Sequence, residues 1–235
     1  MSVSILTVTQ WARRDSLAIL NNLIEDQTYA CIVEWVVVEG SVSQEDREQN
    51  ERFIGTLTNR ICPIRYIAAA GSLGALRQMA NDVAIGDYRV IMDDDDYYPP
   101  ERVSHAVHRL ARSSKLLAGC SPMFMYDYGL HTLFQFKKFA SNHSTSSCMA
   151  WKRDYDGVYD TGVGAGEEAS FTRGFTEPMV QLDPLKTIVQ SSHGTNTYSK
   201  KGLIDRYVGK TLQVVEADVK GYIPPVYLGR LCLAL

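Results

Sequence analysis

The chain has 235 residues, 24 Lys+Arg against 27 Asp+Glu, a formal net charge of −3 and 45% hydrophobic residues, with a mean hydropathy of −0.15. These proportions are those of an ordinary globular chain long enough to build a sizeable core without disulfides or structural metal. They exclude disorder and collagen-like architecture, and they offer no basic surface for nucleic acid.

In chain order, Val3 to Val8 is a short β-branched run, and Leu17, Leu20, Leu23 and Ile24 predict a helix over Ser16 to Ile24. Trp35 to Val38, closed by Gly40-Ser41, predicts a second strand. Polar Gln44 to Asn59 reads as a helix, Ile64 to Ala68 as a strand, Leu73 to Ala84 as a helix, and Tyr88 to Met92 as a fourth strand. That strand ends in Asp93-Asp94-Asp95-Asp96, and Pro99-Pro100-Glu101 then opens a helix through Leu110. Strands alternating with helices imply an α/β fold with a mostly parallel, Rossmann-like sheet and helices on both faces, where ligands bind beyond the carboxyl ends of the strands. Thr9-Gln10, Glu39-Gly40-Ser41 and Asp93 to Asp96 should therefore converge on one crevice. From about Lys115, short aromatic-rich runs with Phe124, Tyr126, Tyr128, Phe134, Phe136 and Trp151 predict small antiparallel additions and loops that complete a site. Without internal repeats or a long linker, a single domain over 1–235 is expected.

Cys31, Cys62, Cys120, Cys148 and Cys232 form no C-x-x-C pair, so a reducing, cytoplasmic compartment is expected rather than a disulfide framework or a zinc knuckle. Met1 to Leu6 lacks a basic flank, and no apolar run approaches the roughly 20 residues that span a bilayer, so neither a secretion signal nor a transmembrane segment is expected.

Four motifs carry candidate chemistry. Adjacent carboxylates repel, and at a buried strand end the four aspartates need a cation or hydrogen-bond donors; hard oxygens suit Mg²⁺ or Mn²⁺ with phosphate oxygens completing the shell. The alternative is a solvated acidic turn. Gly71 and Gly74 allow backbone to approach a ligand, and Arg77 one turn later reaches a phosphate or lies on a solvated helix face. Gly162, Gly164 and Gly166 precede Glu167-Glu168 in the first turn of a short helix, which either supplies a general base or only charges a helix N-terminus. His193, in the loop His193-Gly194-Thr195-Asn196-Thr197, ligates metal, contacts phosphate or satisfies a turn.

Taken in order, Thr7 to Arg13, Val36 to Ser41, Gly71 to Asn81, Gly86-Asp87-Tyr88, and Met92 to Tyr98 with Pro100-Glu101-Arg102 resemble the family 2 nucleotide-sugar glycosyltransferases of the GT-A fold. The match is good over about residues 2 to 105 and loose to about 197. The resemblance implies inverting transfer of a sugar from a UDP-, GDP- or dTDP-linked donor to an acceptor hydroxyl of a glycan, with 1–112 as the nucleotide-sugar half and 113–235 as the acceptor half. It places Thr9, Gln10, Arg13, Glu39, Arg77, Asp93 and Asp94 at the nucleotide sugar, and Asp95, with Asp93 and His193, at Mn²⁺ or Mg²⁺. Glu168 stands at the family's base position with Glu167 as its rival, and Glu39 and Glu168 each replace a usual Asp. Trp151, with Tyr126 and Phe136, either forms the acceptor platform or packs in the core. A nucleotidyltransferase and a non-catalytic metal- or carbohydrate-binding module are the alternatives; the first lacks a Gly-rich loop with Lys after the first strand, and a contiguous Asp run fits Ca²⁺ poorly.

Overall fold

The computed structural model describes residues 1–196 and 200–235. Thr197 of the histidine loop lies outside the described residues. The first half alternates β1 (Val3–Thr9), α1 (Arg14–Glu25), β2 (Ile32–Glu39), α2 (Gln44–Thr56), β3 (Ile64–Ala68), α3 (Leu73–Val83), β4 (Tyr88–Ile91) and α4 (Arg102–Ala111). Each sequence-predicted element is present, with ends moved by a few residues. Ser43 and Ser72 cap α2 and α3, accepting hydrogen bonds from the Asp46 and Ala75 N–H groups at 3.0 and 3.1 Å.

The second half adds β5 (Leu117–Gly119), β6 (Phe124–Asp127), β7 (Thr132–Phe136), β8 (Ala150–Lys152), α5 (Glu168–Phe171), β9 (Met179–Gln181), β10 (Val189–Ser192), α6 (Lys200–Tyr207), β11 (Leu212–Val214) and α7 (Pro225–Ala234). A seven-stranded sheet runs β3-β2-β1-β4-β8-β5-β9, and a four-stranded sheet runs β10-β6-β7-β11. Strands β1 to β4 pair in parallel, β8 is antiparallel to β4 and β5, and β9 is parallel to β5. The small sheet is mixed rather than purely antiparallel, because β10 pairs in parallel with β6. Three second-half strands complete the large sheet, so the sheets do not divide at residue 112.

Strand β2 shows how the core is divided. Its alternating side chains put Trp35 and Val37 into one apolar cluster with Leu17, Leu20, Leu23 and Ile24 of α1. Val36 and Val38 enter a second cluster with Leu76 and Ala80 of α3. A strand buried on both faces reads as a continuous apolar run, and each fully buried side chain of this size contributes roughly 1.5–3 kcal/mol. Helix α7, which the sequence pattern did not single out, buries Leu231 and hydrogen-bonds Asp26 through the Tyr227 hydroxyl. No described helix is long and apolar enough to cross a membrane.

The parallel register delivers the expected convergence. Thr9 lies opposite Glu39, and the Met92 N–H bonds the Leu6 carbonyl at 3.1 Å, so the acidic run begins beside the end of β1.

Candidate active site

A cleft of about 560 Å³ opens at these strand ends, between the acidic run and loops of the second half. The aspartates are not a solvated turn: Asp94 and Asp96 are 1% and 2% exposed. Each has a defined partner. Asp93 takes a bidentate pair from Arg77 at 3.0 and 2.9 Å. Asp94 accepts from the Thr9 hydroxyl at 2.6 Å and from Arg13 at 3.0 Å. Asp95 Oδ2 lies 3.1 Å from Arg13, 3.1 Å from His193 Nε2 and 3.3 Å from Asn196 Nδ2. Asp96 accepts from the Ser191 N–H at 2.7 Å, which ties the run to β10.

Burial decides how this charge is shared. It raises Asp96 well above the carboxylate range and raises Asp94 too, against the opposing pull of Arg13. Asp95 is held below that range, against its own burial, by the His193 hydrogen bond and by Arg13. One guanidinium nitrogen serves both Asp94 and Asp95, so a single cation cannot neutralise the pair. Asp95 stays ionised on the cleft wall.

Two residues inside the resembling stretch, neither given a role from sequence, support the run from beneath. The Tyr98 hydroxyl accepts from the Asp93 N–H at 2.7 Å. Arg102 is fully buried and donates to the Ile91 and Met149 carbonyls at 3.3 and 2.8 Å.

The Glu167-Glu168 pair at the start of α5 lines the same cleft. Arg77 Nε donates to Glu167 at 2.7 Å, so this buried guanidinium bridges the acidic run and the glutamate loop. Arg77 is therefore not on a solvated helix face. Glu167 stays below its ordinary value despite burial because Arg77 faces it. Glu168 lines the cleft, and its carboxylate takes no hydrogen bond from another described residue; burial first, then the charge of Glu167, raises its pKa.

Several expectations are corrected by placement. Trp151 is 1% exposed, packs on Phe171 and donates its indole N–H to Asn81 at 3.1 Å, so it is core and presents no face to the cleft. Tyr126 is buried as well, whereas Phe136 does line the cleft. Both Asp93 oxygens pair with Arg77, so this carboxylate stands at the cleft already matched to a cation. Gln10 is exposed and lies off the cleft wall. Thr9, Asp94 and Glu39 sit behind that wall; Glu39 is fully buried and accepts from the Ser41 N–H at 2.7 Å and from Asn50. Gly74 makes room for protein rather than ligand, since a Cβ there would lie 1.9 Å from the Asp160 carbonyl oxygen. Arg13, Arg77, Asp93, Asp95, Glu167 and Glu168 do meet around the cleft.

Asp95 and His193 face each other at 3.1 Å with carboxylate oxygen and imidazole nitrogen, and among the described residues no group of three or more His, Cys, Asp or Glu is placed to hold a metal ion by itself. A site with few protein ligands is the kind that Mg²⁺ or Mn²⁺ shares with substrate phosphates.

Known structures share the architecture. S. aureus TarS 1-349 in complex with UDP-GlcNAc superimposes with a TM-score of 0.60 at 15% identity, over 84% of this chain and 60% of that one. The mannosyltransferase PcManGT from Pyrobaculum calidifontis, in complex with GDP-Man and Mn²⁺, gives 0.60 at 16% identity, over 83% and 58%. GalNAc-T7 with UDP, GalNAc and Mn²⁺ gives 0.61 at 10% identity, over 85% and 45%. The chain thus spans about three fifths or less of the length of these proteins. No curated protein matches the sequence. Residues 12–156 match the profile of Glycosyl transferase family 2, and with this GT-A architecture the chain belongs to that family.

Proposed function

We propose that this chain transfers a glycosyl group from a nucleotide diphosphate sugar to an acceptor hydroxyl of a glycan, with inversion at the anomeric carbon and with Mn²⁺ or Mg²⁺ bound at Asp95 and His193. The observation that carries the reading is the split of the glutamate pair: Glu167 is pinned by Arg77, while Glu168 faces the cleft with an unshared carboxylate. Breaking the bond from anomeric carbon to diphosphate leaves negative charge on the leaving group, and a divalent ion there supplies the compensating charge without a proton donor.

The chain's own residues do the rest. Arg13 and Arg77 present guanidinium groups to the anionic donor from the strand-end wall. Thr9 and Asp94 hold Arg13 in place, and Asp93 holds Arg77. Glu168 takes the acceptor hydroxyl's proton as that oxygen attacks, and its raised pKa strengthens it as a base. Attack from the glutamate wall on a carbon whose leaving group lies on the aspartate wall displaces it from the opposite face, which inverts configuration.

Calorimetric titration with UDP, GDP and dTDP, each with and without Mn²⁺, tests this. Binding of one nucleotide that needs the metal and is lost in Asp95→Ala is expected. Nucleotide binding indifferent to both metal and Asp95 would remove the metal from the mechanism.

A further inference from the structure

With Trp151 in the core, the acceptor side of the cleft needs another ring-binding surface. Three rings from two segments meet there. Phe139, shortly after β7, and His143 on the following loop both line the cleft. Their centroids are 5.0 Å apart, edge to face, and His143 stacks on Phe175 at 4.9 Å and 27°. Phe139 is 74% exposed, yet its segment is tied down. The Phe139 N–H donates to Ser121 Oγ at 2.9 Å, and Gln181 Nε2 donates to the Ser141 and His143 carbonyls at 2.9 and 3.2 Å.

Phe175 is held by strained backbone. Arg173, Gly174 and Phe175 have φ values of 53°, 69° and 60°, and a bulky residue stays in the left-handed region only where its surroundings over-determine it. Here the Gly174 N–H bonds the Ala169 carbonyl at 2.7 Å, the Phe175 N–H bonds Thr172 Oγ1 at 3.2 Å, and Arg173 pairs with Glu177 at 3.1 Å. The turn leaves α5 directly. One short stretch of chain therefore carries both Glu168 and the ring that backs His143.

We infer that Phe139, backed by His143 and Phe175, is the platform for the acceptor's sugar ring, whose C–H face lies on Phe139 while a hydroxyl turns toward Glu168. The inference rests on the reading of Glu168 as base. A large ring left exposed on a pinned wall of a reaction cleft is placed to cover apolar ligand surface. A pyranose offers such a face together with a polar rim, and Lys137, Ser147 and Gln190 line the same cleft to meet that rim. A planar aryl acceptor, the competing occupant, has no such rim to satisfy.

Saturation-transfer NMR on the full chain, with Mn²⁺ and whichever of UDP, GDP or dTDP binds, distinguishes the two. The probes are methyl α- and β-pyranosides of glucose, galactose, mannose and N-acetylglucosamine, with phenol as the planar probe. At least one glycoside is expected to receive saturation on one ring face, with affinity falling about tenfold in Phe139→Ala and recovering in Phe139→Trp. Nucleotide affinity should be equal in all three proteins. Glycoside binding that is indifferent to Phe139→Ala, absent in a chain that binds nucleotide, or replaced by phenol binding alone overturns the platform. A chain that binds none of the three nucleotides overturns the donor reading and the platform with it, and the nucleotide titration identifies that case separately.

Discussion

On the strand-end wall of the cleft every aspartate has named donors: Arg77 for Asp93, Thr9 and Arg13 for Asp94, His193 and Asn196 for Asp95, and the Ser191 amide for Asp96. Across the cleft Glu168 has none from another described residue, and Phe139 stands largely exposed. The difference separates carboxylates that the protein has fixed in place from the one left free to take a proton. A partnered carboxylate loses both reactivity and freedom; an unpartnered one in the same cleft keeps a lone pair for a proton. Arg77 joins Asp93 to Glu167, which is why its removal should be felt on both.

The largest expected effect is therefore that of Arg77→Ala. It leaves Asp93 and Glu167 without their buried cation and should cost about 3–5 kcal/mol in chemical denaturation. Arg77→Lys should recover only part, because an ammonium cannot bond Asp93 in bidentate fashion and Glu167 at the same time.

Next comes Glu168→Gln, which should lower transfer roughly 100- to 10,000-fold with donor affinity unchanged; retained turnover would move the base elsewhere. The pH profile sharpens the same point. The base works ionised, so a raised Glu168 pKa puts the acid limb of the rate above the ordinary glutamate range. Removing the neighbouring charge in Glu167→Gln should shift that limb toward acid, with burial keeping part of the elevation.

Gly74→Ala pushes a methyl into the Asp160 carbonyl and should destabilise by about 1–3 kcal/mol, read as a lower thermal midpoint, with a slower rate because the displaced loop leads to Glu167. The smallest effect belongs to the surface. Arg60 pairs with Glu25 at 2.7 Å, but its side chain is 76% exposed, so Arg60→Ala should leave the midpoint unchanged within error at 150 mM salt.

Much of the first half of the chain was legible in the residues themselves. The β-branched and apolar runs of β1 to β4 and the 3.6-residue spacing of α1 are local patterns, and each element formed where its period placed it. That the acidic run would face the strand ends followed from parallel topology alone. So did the arrival of Thr9 beside that run, although its hydrogen bond to Asp94 is seen only in the fold.

The tertiary structure decided what each of these residues has for a neighbour. Four identical aspartates carry no local mark of the partners each will meet; Asp95 is held by Arg13 and His193, brought together from distant segments. Glu167 and Glu168 are chemically alike, and only Arg77, 90 residues upstream of Glu167, tells them apart. An aromatic residue in a short strand gives no sign of which side it faces, so Trp151 went to the core while Phe139, with no motif around it, came to the cleft. Local periodicity is a property of consecutive residues and survives in the sequence; partnership and burial belong to pairs brought together from distant segments, and the folded chain alone sets them.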